Sequence, residues 1–302
     1  MSVPTQRILR GANALINKEK IVLGAKRLPP LPSVTDLLKM YRIRARRQLS
    51  QNFLLHPYMC KRFVDCAGSL RDRTVVEVGP GPGNLTRYIL GQAPHEVIAI
   101  EKDRHFIPTL EVRHHILWQP SICLFYLIQM TASIMDRAKD WDDICPPIKI
   151  IGNLPFNVAS PLLIKWLREI SEKSGPFALG RVPLILAFQK EVAERIVAPP
   201  LWDERSRLSI MSQIYCHSQI KFTISESNYI ESVYLNELNQ LCRRLTPWLC
   251  AGKCFSPRPQ VDVSIVRMVP LRKPKIDLPF KLVEKVVRSL FQGKRKNMLG
   301  VL

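Results

Sequence analysis

A short segment near the middle of the chain places an amide, a proline and an aromatic ring directly after an apolar run. Residues 148–152 form this run, which ends in glycine, and Asn153, Leu154, Pro155 and Phe156 follow at once. The run predicts a buried strand, and its terminal glycine allows the backbone to leave it closely and at an unusual angle. In the proline-fixed turn, the side-chain oxygen of Asn153 and the carbonyl oxygen of Leu154 could accept both N–H groups of an exocyclic amine, while Phe156 stacks on the ring. The segment therefore suits a planar, amino-bearing ring, although an ordinary Asn-x-Pro turn at a strand end is the alternative.

A second set of candidate residues surrounds a glycine-rich turn. Residues 74–78 have an apolar strand pattern with one acid, and a helix pattern begins at Asn84. Between them stand three alternating glycines, Gly79, Gly81 and Gly83. This strand, turn and helix form the first unit of a doubly wound nucleotide-binding sheet, but the spacing differs from the dinucleotide pattern G-x-G-x-x-G. The next strand pattern ends in Glu101, about twenty residues further on, where an acid can accept from both ribose hydroxyls. Together these features predict an adenosine-type cofactor without phosphates, and S-adenosylmethionine fits.

Strand and helix patterns alternate along most of the chain, which predicts an α/β fold. The 302 residues suffice for one large domain and a smaller one. Lysine and arginine number 45 against 25 acids, a net charge of +20 that indicates a polyanionic partner, either nucleic acid or an anionic membrane. No uninterrupted apolar run of about 18 residues occurs, so we expect no membrane span.

The eight cysteines have no regular spacing. The closest set of potential zinc ligands is Cys216, His217, Cys250 and Cys254. Ligand-type residues paired this loosely are more typical of buried thiols. We therefore expect no metal and a reducing compartment.

The amino-terminal part of the chain is basic. Residues 1–26 interleave arginines and lysines with apolar side chains and contain a single acid, Glu19, a composition typical of a mitochondrial presequence. A basic arm that binds RNA, or nothing, is the alternative. A proline-rich connector at 28–32 follows, and the arginines clustered within 42–47 could contact phosphates.

Six segments occur in the order typical of one enzyme family. They are residues 51–54, 77–83, 100–103, 152–156, 188–195 and 255–261. Their sequences resemble the rRNA adenine N6-dimethyltransferase family, and the proline-rich connector and presequence-like arm are similar to its mitochondrial branch. The resemblance implies a Rossmann-like methyltransferase sheet with a small helical domain and S-adenosylmethionine as the methyl donor. It also implies two adjacent adenines of a small-subunit rRNA hairpin as the acceptors.

The resemblance also implies roles for individual residues. On the target side stand Asn153, Leu154, Pro155, Phe156 and Phe255, with the two phenylalanines on opposite faces of the adenine. The cofactor-side residues include the acid of the strand and the three glycines of the turn. They are Gln51, Asn52, Leu54, Glu77, Gly79, Gly81, Gly83, Glu101 and Lys102. Asn153 is shared between the cofactor and target pockets. The further partners that the resemblance implies are the small ribosomal subunit and the mitochondrial transcription machinery. We expect the protein to be located in the mitochondrial matrix. We also expect it to be a monomer.

Three features depart from the family pattern. Residues 112–135 contain no Asp or Glu, although the family has an acid there that accepts from the cofactor's adenine amine. Residues 225–250 read as an insertion that would displace Phe255 unless it is looped out, and the chain stops at Leu302, inside the helical domain.

The expected organisation follows from these boundaries: an arm at 1–26, a methyltransferase domain at 27–272 and the start of a truncated helical domain at 273–302. The departures keep open a catalytically weak or inactive RNA-binding or transcription-associated relative as the alternative function. A small-molecule methyltransferase would leave the net charge unexplained.

Overall fold

The described part of the chain is organised around a seven-stranded sheet. This computed structural model describes Asp36, residues 52–106, Leu110, 116–120 (backbone only), 138–225, 254–257 and 261–291. The sheet has the strand order β4-β3-β2-β5-β6-β9-β7. Its strands are β2 (Thr74–Val78), β3 (Glu96–Glu101), β4 (Ile116–Pro120), β5 (Ile148–Gly152), β6 (Leu184–Gln189), β7 (Cys216–Ile224) and β9 (Val263–Pro270). The α/β fold expected from the alternating patterns is confirmed.

The strands from β4 to β6 run parallel, whereas β9 is antiparallel to both of its neighbours. Every residue of β5 is buried, as expected for a parallel strand covered on both faces. The register pairs Val78 of β2 with Gly152 of β5 and with Ile100 of β3. The glycine turn, the strand that ends in Glu101 and the Asn153 turn therefore leave the sheet at the same edge.

Helices cover both faces of the sheet. They are α1 (Pro57–Asp65), α2 (Asn84–Gly91), α3 (Phe156–Ser171), α4 (Lys190–Val197), α5 (Arg207–Tyr215) and α6 (Phe280–Leu290). One apolar cluster joins α1 and α2 to the sheet through Phe63, Ile89 and Ile151, and a second joins α3, α5 and α6 through Trp166, Tyr215 and Val283. The apolar side of α6 is divided: Phe280, Val283 and Val287 are buried, whereas Leu282 and Val286 are exposed.

Several expectations from the sequence need correction. The sequence from Ile214 to Ile224 has a strand pattern throughout, but the helix α5 runs to Tyr215 and β7 starts only at Cys216. The strand beside β3 lies at 116–120; residues 122–130, whose sequence also has an apolar strand pattern, lie outside the described residues. Gly152 has no left-handed φ; its small size matters instead, because an added Cβ would lie 3.0 Å from the Val78 carbonyl oxygen.

Some expectations lie outside the described residues. These are the arm at 1–26, the connector at 28–32, the arginines within 42–47, Gln51, most of 112–135 and residues 226–250.

Candidate active site

A cleft of about 540 Å³, part of it open to solvent, lies at the carboxyl ends of β2, β3 and β5. Its lining residues are Asn52, Phe53, Leu54, Gly79, Pro80, Gly81, Pro82, Asn84, Leu85, Glu101, Phe106, Asn153 and Pro155. Ligands of open α/β sheets bind at this edge, outside the carboxyl ends of the strands. The cleft thus joins residues of the glycine turn, the acid-bearing strand and the amide turn.

The glycine turn brings the backbone close to the cleft without side chains in the way. Gly79 and Gly81 have φ angles of 70° and 54°, in the left-handed region that favours glycine. A Cβ on Gly81 would lie 3.4 Å from the Phe53 ring, which therefore packs directly on the turn. Phe53 in turn packs edge-to-face on Phe106 at a centroid distance of 5.5 Å.

Glu101 is held in place by backbone donors. Its Oε2 accepts from the Gly81 N–H at 2.9 Å and its Oε1 from the Asp103 N–H at 2.8 Å. Burial raises the pKa of this carboxyl, and the backbone hydrogen bonds oppose the shift. The Lys102 backbone also contributes a hydrogen bond to this carboxylate, whose four or so lone-pair sites still leave capacity to accept from a ligand. The arrangement presents two oriented acceptors, which matches a ribose with two adjacent hydroxyls.

Asn84 supplies a complementary donor. It is the first residue of α2, lines the cleft and is 8% exposed. Its Nδ2 is buried, and no described residue accepts from it. A buried donor left without an acceptor costs free energy unless a ligand supplies one. A carboxylate, such as that of an amino-acid moiety, would satisfy it at the amino-terminal end of a helix.

These observations fit S-adenosylmethionine better than a dinucleotide. Glu101 provides acceptors for ribose, Asn84 a donor for the methionine carboxylate, and the glycine turn an uncluttered wall between them. The part of the family pattern that would hold the cofactor's adenine amine falls in residues 112–135, which contain no acid.

The Asn153 turn forms the boundary of the cleft next to β5. Nδ2 of Asn153 donates to the carbonyl oxygen of Asn52 at 3.1 Å. Pro155 then caps α3, and its carbonyl oxygen accepts from the Val158 and Ala159 N–H groups at 2.9 and 3.0 Å. The helix begins at Phe156, so the turn is held from both sides.

Phe255 lies close to this region. It belongs to the two-residue strand β8 (Phe255–Ser256), which pairs antiparallel with β1 (Phe53–Leu54), so that Leu54 faces Phe255. Phe255 is 5% exposed and packs in the same apolar cluster as Leu54 and, at its margin, Phe156. Phe255 is therefore not displaced from the site, because the pairing of β8 with β1 holds it opposite Leu54.

The cleft contains seven of the residues that sequence reasoning singled out: Asn52, Leu54, Gly79, Gly81, Glu101, Asn153 and Pro155. Glu77, Gly83 and Lys102 do not line it. Glu77 is buried within β2, where together with burial it raises the pKa of the Cys60 thiol to about 12. Gly83 caps α2, and Lys102 is exposed. Leu154, Phe156 and Phe255 lie beside the cleft and not in its lining.

Sequence reasoning missed six lining residues: Phe53, Pro80, Pro82, Asn84, Leu85 and Phe106. Four are immediate neighbours of residues that were singled out and Leu85 is two positions from Gly83, so proximity in sequence was an available signal. Phe106 is the last residue of the 3₁₀ turn after β3 and carries no such signal.

The described ranges contain neither a metal-binding cluster nor a membrane-spanning helix. No group of three or more His, Cys, Asp or Glu side chains there could hold a metal ion. Cys216 is buried, and burial raises the pKa of its thiol far above the ordinary value. No described helix combines the length and the apolar character that crossing a bilayer requires.

Comparison with solved structures reveals the same fold elsewhere. A dimethyladenosine transferase from Plasmodium falciparum is similar with a TM-score of 0.56 and 22% identity, over 82% of this chain and 73% of that one. The 23S rRNA methyltransferase ErmE is similar with a TM-score of 0.52 and 21% identity, over 82% of each chain. At these identities the likeness establishes the fold, which is that of S-adenosylmethionine-dependent methyltransferases.

Sequence comparison identifies nearer relatives. A mitochondrial dimethyladenosine transferase 1 of Xenopus tropicalis is 43% identical over 283 residues, which cover 91% of this chain and 73% of the relative. The protein of the same name from Homo sapiens is 41% identical over 280 residues, with the same two coverages. The family model for ribosomal RNA adenine dimethylases matches residues 42–302. The chain therefore belongs to the ribosomal RNA adenine dimethylase family.

Proposed function

We propose that the protein is a mitochondrial rRNA adenine N6-dimethyltransferase that uses S-adenosylmethionine to dimethylate two adjacent adenines of a small-subunit rRNA hairpin. One observation carries this proposal: Asn153 borders the cofactor cleft and belongs to the turn suited to an adenine amine. A methyl donor in the cleft and an amine at the turn would therefore be neighbours.

The residues of the site act mainly by positioning. When bound, S-adenosylmethionine supplies an electrophilic methyl group on a sulfonium. Adenine N6 is a poor nucleophile because its lone pair is delocalised into the ring. Acceptance of its two N–H groups by Asn153 Oδ1 and the Leu154 carbonyl oxygen would favour a pyramidal nitrogen aimed at the methyl group. Catalysis then comes from orientation and from a charge-matched pocket, without a dedicated general base.

The target adenine must leave its stack to reach this turn. Phe156 and Phe255 lie in one apolar cluster beside the turn and are the aromatic faces available to receive it. Phe255 is 5% exposed, so its ring must become accessible when the base enters. The net charge of +20 suits an RNA substrate.

The setting of this reaction extends the proposal. The relatives are named as mitochondrial proteins, and the basic, acid-poor composition of residues 1–26 supports delivery to the matrix. We assign residues 27–272 to the methyltransferase domain and 273–302 to the start of the helical domain. The proposed partners of this monomeric enzyme also include the small ribosomal subunit and the mitochondrial transcription machinery.

The test is methyl transfer from labelled S-adenosylmethionine to a small-subunit rRNA hairpin. Transfer should be lost by about a hundredfold or more in Asn153→Ala, the scale of removing one transition-state hydrogen-bonding group. Gln219→Ala is the control, because it removes an exposed amide of β7 far from the cleft. A folded sample that binds the hairpin but transfers no methyl group would favour an RNA-binding protein without catalytic activity.

A further inference from the structure

The hydrogen bond between Asn153 and Asn52 joins two parts of the site that are 101 residues apart in sequence. Asn52 lines the cofactor cleft directly before β1, and Asn153 begins the target turn directly after β5. The bond therefore crosses from the cofactor segment to the target turn.

The chemistry of this bond determines the orientation of the Asn153 amide. The Asn52 partner is a backbone carbonyl oxygen, which only accepts, so the NH₂ group of Asn153 must face it. Oδ1 then points away, and among the described residues none donates to it. The opposite rotamer would place two acceptors against each other and would offer donors to an amine that itself donates.

The strand that follows Asn52 also fixes the aromatic side of the pocket. Phe53 and Leu54 pair with Ser256 and Phe255, and the Leu55 N–H donates to the Cys254 carbonyl oxygen at 2.7 Å. On its other side, Phe53 packs on the Gly81 turn and on Phe106, which both line the cofactor cleft. One short segment, residues 52–55, therefore touches the cofactor cleft, the Asn153 amide and the strand of Phe255.

We propose that residues 52–55 couple the two binding sites, with the Asn52 carbonyl as the positioning group that orients Asn153 toward the target amine. A cofactor that orders this segment also orders the amide and the β8 strand, so cofactor and target adenine bind with positive coupling. This inference rests on the proposed function for the identity of the target base, and it assigns to Asn52 a positioning role through Asn153.

The first measurement is the affinity of the wild-type protein for a small-subunit rRNA hairpin that carries unmodified adenine at both target positions. It is made with and without saturating S-adenosylhomocysteine, the product form of the cofactor. Positive coupling predicts that the product tightens hairpin binding at least about fivefold, the lower end of typical coupling between sites. A ratio below about twofold overturns the coupling.

The second measurement tests the positioning group with Asn153→Asp, which keeps acceptor oxygens but loses the N–H donor. At about pH 8 the new carboxylate would repel the Asn52 carbonyl, and the coupling ratio should fall to near one. At about pH 5.5 a protonated carboxyl can again donate to that carbonyl, so part of the coupling should return. His56 and Glu101 also titrate beside the cleft, but they are present in both proteins, so comparison with the wild type at each pH removes their effect.

Gln219→Glu is the matched control, since it adds the same charge on the exposed side of β7. It can weaken hairpin binding generally but should leave the coupling ratio and its pH response unchanged. If Asn153→Asp keeps the wild-type ratio at about pH 8, the positioning role is wrong. If Asn153→Asp does not fold, Asn153→Ala takes its place and should also abolish the ratio.

The two proposals fail separately. Coupling with no methyl transfer by the wild-type protein would contradict the proposed function and leave this inference standing. Methyl transfer with no coupling would contradict the inference alone.

Discussion

Replacing Glu101 with glutamine tests how the cofactor cleft recognises ribose. In the wild-type protein the two carboxylate oxygens accept the backbone N–H groups of Gly81 and Asp103 and keep capacity to accept from a ligand hydroxyl. In Glu101→Gln one of the two positions becomes an NH₂ group, which opposes a backbone N–H and can no longer accept from ribose. Loss of one hydrogen bond to a charged group costs about 1.5–3 kcal/mol. We therefore expect the cofactor to bind about 10- to 150-fold more weakly.

Calorimetric titration with S-adenosylhomocysteine measures this loss without RNA. Glu96→Gln is the matched control, since it removes the same charge from the opposite end of β3 and should change the affinity little. Acidification provides an independent check: burial raises the pKa of Glu101, so wild-type affinity should fall as the pH drops toward that pKa and the acceptor becomes protonated. Glu101→Gln should lack this decline. An unchanged affinity in Glu101→Gln would refute the assignment of Glu101 to the ribose.

Three further predictions concern stability and RNA binding. Gly152→Ala should destabilise the fold by about 1–3 kcal/mol in urea denaturation, because the new Cβ would lie 3.0 Å from the Val78 carbonyl oxygen. Gly91→Ala is the control and should not destabilise the fold, because a Cβ there would meet nothing within 4 Å. Lys149 donates to the Ala67 and Ser69 carbonyl oxygens, and burial lowers its pKa from 10.5 to about 8. Between these two pH values the unfolded chain therefore keeps a proton on Lys149 that the folded chain has released. Wild-type stability should accordingly rise relative to Lys149→Met between about pH 8 and about pH 10, and parallel curves would contradict this. Hairpin affinity should fall linearly on a logarithmic salt scale, and a flat response would argue against phosphate contacts.

Much of the fold could be predicted from local sequence patterns. The strand β2, the glycine turn and the start of α2 could be predicted because each follows from residues adjacent in sequence. The same holds for β5 and the turn at Asn153. In contrast, the sequence does not indicate that α5 is a helix. Several faces of α5 are buried, and Ser209, Met211 and Tyr215 are all covered. The helix therefore has no continuous polar side, and its sequence shows no clear helical period. Its end was misplaced because β7 follows without a glycine or proline between them.

The site was predictable in its parts but not in its connections. Glu101 could be assigned from its distance to the glycines, yet nothing local indicates that Gly81 and Asp103 hold both of its oxygens. Glu77 belongs to the same sequence motif as the glycines. Side chains alternate between the two faces of a strand, and Glu77 is buried against a covered face of β2 rather than exposed in the cleft. The bond from Asn153 to Asn52 depends on strand order, which single motifs do not encode.

The place of β9 between β6 and β7 has a consequence for how the chain acquires its structure during synthesis. Among the described strands of the sheet β9 comes last in sequence, yet it pairs on both sides with strands made before it. Until residues 263–270 leave the ribosome, β6 has an open edge and β7 has no neighbour in the sheet. Such edges invite pairing with other chains, so the nascent protein is vulnerable to aggregation until β9 is made. Ribosome stalling shortly before this strand would therefore release a chain that contains every cofactor residue but lacks a completed sheet.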